Sequence, residues 1–350
     1  MLGPINTRLL GTFARRQLFG RDRTVRECST RSWVLQPQET RVERAAIFCA
    51  ENLGRITAVM SDTTIDQELK RIRGGRTDHG ATTMHLLKDV DLACGRLYCD
   101  GMALKFADRP RKLLLKGEAR HFRRAALACT YYGSVYFGHW MRDDLSLHLA
   151  AESIDVPVVS KRPTYHHEPG YCALLEIQQT ALDWARFDEL IFIEDVGQNS
   201  YKRARYRTIR SRLAKLPQSP YEKIYIRRGT HAARSPREIT NGEELDQFLI
   251  RTGFHIIEPD KLSSGEIARA TAGAKLVLGV EGSHLSHALY SVAEEATICV
   301  IQPPHRFNNV YKDYADCLDL HYAFVVGKAV EGGFRVELTD LERLLHQIPP

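Results

Sequence analysis

Three short stretches of this chain gather groups that could move a proton or hold a phosphate. In YFGHWMRDDLSLHLAAE (136–152), His139 and Asp143 stand four residues apart. On a helix they share a face, while Met141, Leu145 and Leu149 form a nearly opposite apolar one. A histidine beside a carboxylate suits a general base whose partner orients it or raises its basicity. The same pair also suits a first-turn histidine bonded only to its own helix. In KIYIRRGT (223–230), Arg227 and Arg228 end an alternating, β-rich run. Their planar forks match phosphate oxygens, although a plain surface pair has the same sequence.

The third stretch is KLVLGVEGSHLSHALYS (275–291). It begins as a buried strand, breaks at Gly279, and resumes with helical spacing near Ser283. A helix that starts there presents free N–H groups, which attract phosphate. Gly282 permits close approach of a ligand to the backbone. Ser283 can cap the helix or donate to an oxygen, and His284 lies in the first turn where a ligand would arrive. Glu281, an acceptor, suits ribose or sugar hydroxyls better than phosphate. His284 and His287 are three apart, with no histidine or cysteine cluster to complete a metal site. The pattern is neither GxGxxG nor a P-loop, and a plain tight turn remains the simpler alternative.

These residues need elements to hold them. From 223 onward the chain alternates. KIYIRR, FHIIEP, KLVLGV and ATICVIQPP read as strands. TNGEELDQFLIRTG, SSGEIARATAG and SHLSHALYSV read as helices, the first two opened by the capping boxes Thr240/Glu243 and Ser263/Glu266. This alternation predicts a doubly wound parallel sheet. Earlier, RAAIFCA, RRAALACT, VPVVS and ELIFIED read as strands, and GHWMRDDLSLHLAAE and ALLEIQQTALDWA as helices. KLPQSPYEK (215–223) is the linker candidate. The expected organisation is a basic N-terminal segment (1–29), an α/β domain at 30–216, a second at 217–310, and a tail at 311–350 with a last helix.

Length and composition suit an ordinary globular chain of two domains: 350 residues, 43% apolar and 26% charged. No apolar run reaches the roughly 18 residues of a membrane span, and the N-terminus lacks a secretory pattern, so a cytoplasmic protein is expected. The eight cysteines are scattered and read as free thiols of a reducing compartment; Cys94 and Cys99 lack a second pair for zinc. The net charge of +6 is uneven: seven Lys and Arg residues and no acid lie between Lys202 and Lys215. Such a run reads as a solvated helix face, or as a contact for phosphates of a nucleotide sugar or of an anionic membrane. Nucleic acid fits least, because only Tyr201 and Tyr206 could stack on bases.

In order and spacing, these stretches resemble glycosyltransferase family 61, whose bacterial members are often capsular-polysaccharide biosynthesis proteins. The resemblance spans about 131–305. It rests on His139-Trp140-x-x-Asp143, on IYIRR followed by REITNGEEL, on GFHIIEPDKLSSGE, and on the strand–Gly–turn at 279–287. At that turn Glu281 stands where the family usually carries His, and Ser283 where it carries Ala. The resemblance implies a GT-B-like α/β fold of two Rossmann-like domains facing a central cleft. It implies inverting transfer from a nucleotide-sugar donor to a glycan or lipid-linked saccharide acceptor. In those roles His139 with Asp143 would be the base, and Arg227, Arg228 and Ser283–His284 would hold the diphosphate. Glu281 would read hydroxyls, close to Gly282. No metal or other cofactor is expected; the one D-x-D, Asp89-Val90-Asp91, lies outside the resemblance. A non-catalytic nucleotide-sugar or polysaccharide binder of the same fold is the rival reading.

Overall fold

The computed structural model describes residues 5–112, 114–115, 118–229 and 237–349. The chain forms two compact units, Met1–Glu39 with Gly80–Arg205, and Thr40–His79 with Tyr206–Pro350. The α/β class agrees with the sequence reading, but the boundaries differ. Residues 40–79 belong to the second unit rather than the first. Ile47 pairs alongside Ala323, its N–H donating to the Tyr322 carbonyl at 2.9 Å, and Phe48 stacks on Phe324. A pairing of segments so far apart leaves no local pattern to read.

The strands in chain order are β1 (Arg31–Gln36), β2 (Glu39–Glu43), β3 (Gly75–His79), β4 (Thr82–Ala93), β5 (Arg96–Cys99), β6 (Met102–Lys105), β7 (Arg120–Leu127), β8 (Pro157–Ser160), β9 (Thr180–Leu182) and β10 (Trp184–Glu194). There follow β11 (Lys223–Ile226), β12 (His255–Ile257), β13 (Leu276–Val280), β14 (Thr297–Gln302) and β15 (His321–Val326).

The first unit is built on a mixed sheet in the order β6-β5-β4-β10-β7-β8-β9, with β1 beside β4. Strands β10, β7, β8 and β9 run parallel. Strands β1, β4, β5 and β6 form an antiparallel meander joined to β10. The expected doubly wound first domain is therefore only half realised. The reason is local: Cys94-Gly95 and Asp100-Gly101 are two-residue turns with positive φ at both positions, which turn the chain back as hairpins. The helix expected over 173–185 is also replaced: Glu168–Leu174 is helical, and β9 and β10 take up the remainder.

The second unit carries a five-stranded parallel sheet in the order β12-β11-β13-β14-β15. Counted along the chain this is 2-1-3-4-5, with the switch point between β11 and β13. Its fifth strand lies at 321–326, so the stretch expected to be a tail completes the sheet. Every residue of β13 and β14 is buried. All eight cysteines are free thiols, seven of them buried.

Candidate functional site

In the first unit the chain passes from β7 to β8 and β9 on one side and returns to β10 on the other. The switch point thus lies between the carboxyl ends of β7 and β10, where open α/β sheets bind ligands. Thr130 follows β7 and caps the next helix, accepting from the Gly133 N–H at 2.9 Å. A helical segment, Phe137–His139, then enters a π turn, Trp140–Asp144, and continues as Leu145–Glu152. Such π turns are frequent at functional sites. Met141, Leu145 and Leu149 are buried, as their spacing predicts.

The two aspartates of the π turn diverge. Asp144 turns inward and accepts from the Thr130 N–H and hydroxyl at 3.0 and 2.8 Å; burial raises its carboxyl well above the ordinary value. Asp143 stays at the surface side and accepts from His139 Nδ1 at 2.7 Å. Its other oxygen lies 3.6 Å from Lys202 Nζ. Burial opposes ionisation of Asp143. The His139 hydrogen bond and the charges of Lys202, His139 and Arg142 outweigh it and hold the carboxyl far below its ordinary value. A fixed carboxylate on Nδ1 leaves Nε2 of His139 to act on a substrate. The rings of Tyr132 and Tyr136 flank the imidazole, at 5.4 and 6.0 Å between centroids.

Lys202 comes from the basic helix, Ser200–Leu213, and only 2% of its side chain is exposed. Its Nζ donates to the Asp195 carbonyl at 2.8 Å, and Arg205 grips the Asp195 carboxylate at 3.0 and 2.8 Å. Arg205 also donates to the Ser146 carbonyl at 3.0 Å. Lys202, Arg203 and Arg205 are all buried, so residues 202–215 are not one solvated face. These charges fold inward because Asp143 and Asp195 stand ready to neutralise them.

Replacing Lys202 by Met removes one partner of that buried network and should destabilise the protein by about 3 kcal/mol at pH 7. A carboxyl held below its ordinary value contributes stability present above the unfolded value and lost as pH falls through the folded one. Since Lys202 helps hold Asp143 down, urea melts should show a smaller gap between Lys202→Met and wild type at pH 3 than at pH 7. An equal gap at both pH values would remove Lys202 from the electrostatics of Asp143.

In the second unit the carboxyl ends of β11 and β13 again flank the switch point. Arg227 and Arg228 leave β11 and part company. Arg227 pairs with Glu258 at 2.9 Å and with Asp246, so two carboxylates already neutralise it. Arg228 instead reaches the Glu281 carbonyl at 3.4 Å. Arg237 joins it, donating to the same carbonyl at 2.6 Å and pairing with the Glu281 carboxylate at 3.0 Å. Arg306, beyond β14, comes within 3.5 Å of that carboxylate, and Asn308 donates to it at 3.2 Å.

Glu281 is 4% exposed, so its carboxylate faces arginines rather than open hydroxyl-binding space. Among the described residues, three guanidinium groups gather on Glu281, Arg237 and Arg306 at its carboxylate and Arg228 at its carbonyl, an excess of two positive charges. Burial lowers Arg237 to about 10, with Glu281 opposing and Arg228 and Arg306 reinforcing, and it remains charged at neutral pH. Arg228 is lowered for the same first reason.

Gly282, with φ at 149°, makes this approach possible, since a Cβ there would collide with the head groups of Arg228 and Arg237. The helix expected from Ser283 is only a 3₁₀ turn, Ser283–His287. The Tyr311 hydroxyl bonds the Gly282 carbonyl at 2.8 Å and lies 2.9 Å from Ser286, which pins the turn. One such turn sums few peptide dipoles, so the arginines supply the positive field in place of a helix end. His284 is half-buried, and its enclosed Nε2 has no hydrogen-bond partner. Burial, then Arg228 and Arg237, push its pKa well below the ordinary value, so the ring is neutral.

Sequence reasoning singled out Arg228, His139 and Asp143 but missed Arg237, Arg306, Lys202, Asp195 and Arg205. Arg237 opens the quoted REITNGEEL stretch, and Arg306 follows the prolines that end β14, the one position legible as a strand-end cation. Residues 137–300 match the family model described as Glycosyltransferase 61. None of the curated proteins compared with the chain matches it.

Proposed function

We propose, from the premise that this chain carries a glycosyltransferase family 61 domain over residues 137–300, that it transfers a sugar from a nucleotide-sugar donor to an acceptor hydroxyl with inversion. The acceptor class is a saccharide, free or lipid-linked, as in the synthesis of a surface polysaccharide. The GT-B division of labour is part of the same proposal: the first unit supplies the base and the second the diphosphate clamp.

His139 Nε2 takes the proton of the acceptor hydroxyl as that oxygen attacks the anomeric carbon. The bond from that carbon to the diphosphate oxygen breaks, and its electron pair leaves with the nucleoside diphosphate. Asp143 balances the imidazolium, and Arg228, Arg237 and Arg306 meet the charge that grows on the leaving oxygens. The observation that supports this reading is the gathering of three arginines around one glutamate, Glu281, at the switch point of the parallel sheet. It suits a diphosphate that already carries negative charge and gains more in the transition state.

A thermal-shift screen against UDP-, GDP-, dTDP- and CMP-sugars tests the reading. A ligand at 100 times its Kd stabilises by about 2.7 kcal/mol. One diphosphate class should raise the melting temperature by several degrees, CMP-sugars with their single phosphate should do less, and EDTA should leave the shift intact. No shift with any donor, or a shift and turnover that need added Mn²⁺, would contradict it.

A further inference from the structure

Helix α1 (Thr7–Phe19) of the first unit leaves most of its large apolar side chains exposed. An ordinary surface helix buries an apolar stripe and shows charge to water. Here Arg8 turns toward buried Asp91, at 3.6 Å, and Thr12 is buried. Leu10, Phe13 and Leu18 point outward, at 49%, 59% and 78% exposure, with exposed Ala14 between them. Their spacing of i, i+3, i+4 and i+8 puts these apolar side chains on one face, with exposed Gln17 among them. The helix is seated by Leu9, which packs against buried Ala93, Cys94, Tyr98 and Leu115, and by Asn6, which caps it, accepting from the Leu9 N–H at 3.1 Å, and donates to the Lys112 carbonyl at 3.4 Å.

The rim of this face is basic. Arg16, Arg111 and Lys112 are exposed, and Arg16, Arg111 and Phe13 line a cavity of about 280 Å³ together with Asp22. Among the described residues no helix is long and apolar enough to cross a membrane.

We propose that the outer face of α1, with Arg16, Arg111 and Lys112, docks the protein on a membrane surface that bears anionic lipid headgroups. Charge complementarity favours lipid over a second copy of the chain, because two such faces would bring like charges together. Leucine and phenylalanine enter the headgroup boundary while flanking cations meet lipid phosphates, the mode of interfacial helices. The surface does not depend on the transferase assignment, since it uses none of the residues proposed for catalysis.

The test is co-sedimentation of the full chain with phosphatidylcholine vesicles, with and without phosphatidylglycerol, at low salt. Wild type should bind the phosphatidylglycerol vesicles selectively. Phe13→Ser with Leu18→Ser should lose binding at least tenfold, and Arg16→Gln with Arg111→Gln about fivefold per cation removed. These side chains are exposed, so melting temperatures should stay near wild type, as should activity on a soluble acceptor. No vesicle binding by the wild type would overturn the proposal. So would undiminished binding by the Phe13/Leu18 variant, or a dimer that this variant dissolves in the absence of lipid binding.

Discussion

His139→Ala keeps its fold and its affinity for nucleoside diphosphate but loses about 10²- to 10⁴-fold in kcat, the range for a positioned general base. Affinity is spared because the imidazole takes no part in the arginine cluster around Glu281. The ring is anchored by one bond, Nδ1 to Asp143 at 2.7 Å, and its removal leaves Asp143 facing Lys202. Added imidazole should restore part of the lost turnover, which a purely structural histidine would not allow.

Asp143→Asn should cost less than loss of the ring. One carboxylate oxygen bonds His139 and the other faces Lys202, which under the proposed mechanism makes Asp143 the orienting partner of the base. Steady-state kinetics on the two variants decide the assignment. Full turnover by His139→Ala would rule His139 out as base. An equal or larger loss in Asp143→Asn would make the carboxylate the better candidate.

The second unit was the more legible part of the fold, for physical reasons. Its strands are short apolar runs that end at glycine or proline, and Ser263 and Glu266 form the capping box that their spacing announces. Thr240 misled: Asn241 takes the cap position, without a side-chain bond. The hairpins at Cys94-Gly95 and Asp100-Gly101 carried a turn signal that the α/β reading passed over. RAAIFCA was legible as an extended run, but only Ile47 bridges to the C-terminal sheet, and nothing local named Ala323 as its partner. At the site, helical spacing was enough to join His139 to Asp143. It could not show that Lys202 and Arg205 turn inward, because a basic run looks the same whether its acids are water-exposed or buried across the fold. Nor could it tell Arg227 from Arg228, neighbours whose forks end on different partners.

That difference sets the second large effect. Arg237→Ala should weaken nucleoside diphosphate binding at least tenfold and lower kcat by about 10²–10³, because the guanidinium meets charge that grows as the leaving group departs. Its buried position adds to the loss, since Glu281 would then keep only Arg306 and Asn308 on its carboxylate. Arg228→Ala should act in the same direction. Arg227→Ala should leave affinity near wild type, because Glu258 and Asp246 already satisfy that side chain.

Calorimetric titration of nucleoside diphosphates into wild type, Arg237→Ala and Arg227→Ala, in EDTA, tests the central claim most directly. The account predicts that wild type and Arg227→Ala bind one diphosphate with similar affinity, and that Arg237→Ala binds it at least tenfold more weakly. Equal affinity in all three proteins, or wild-type binding that appears only when a divalent cation is added, would contradict it.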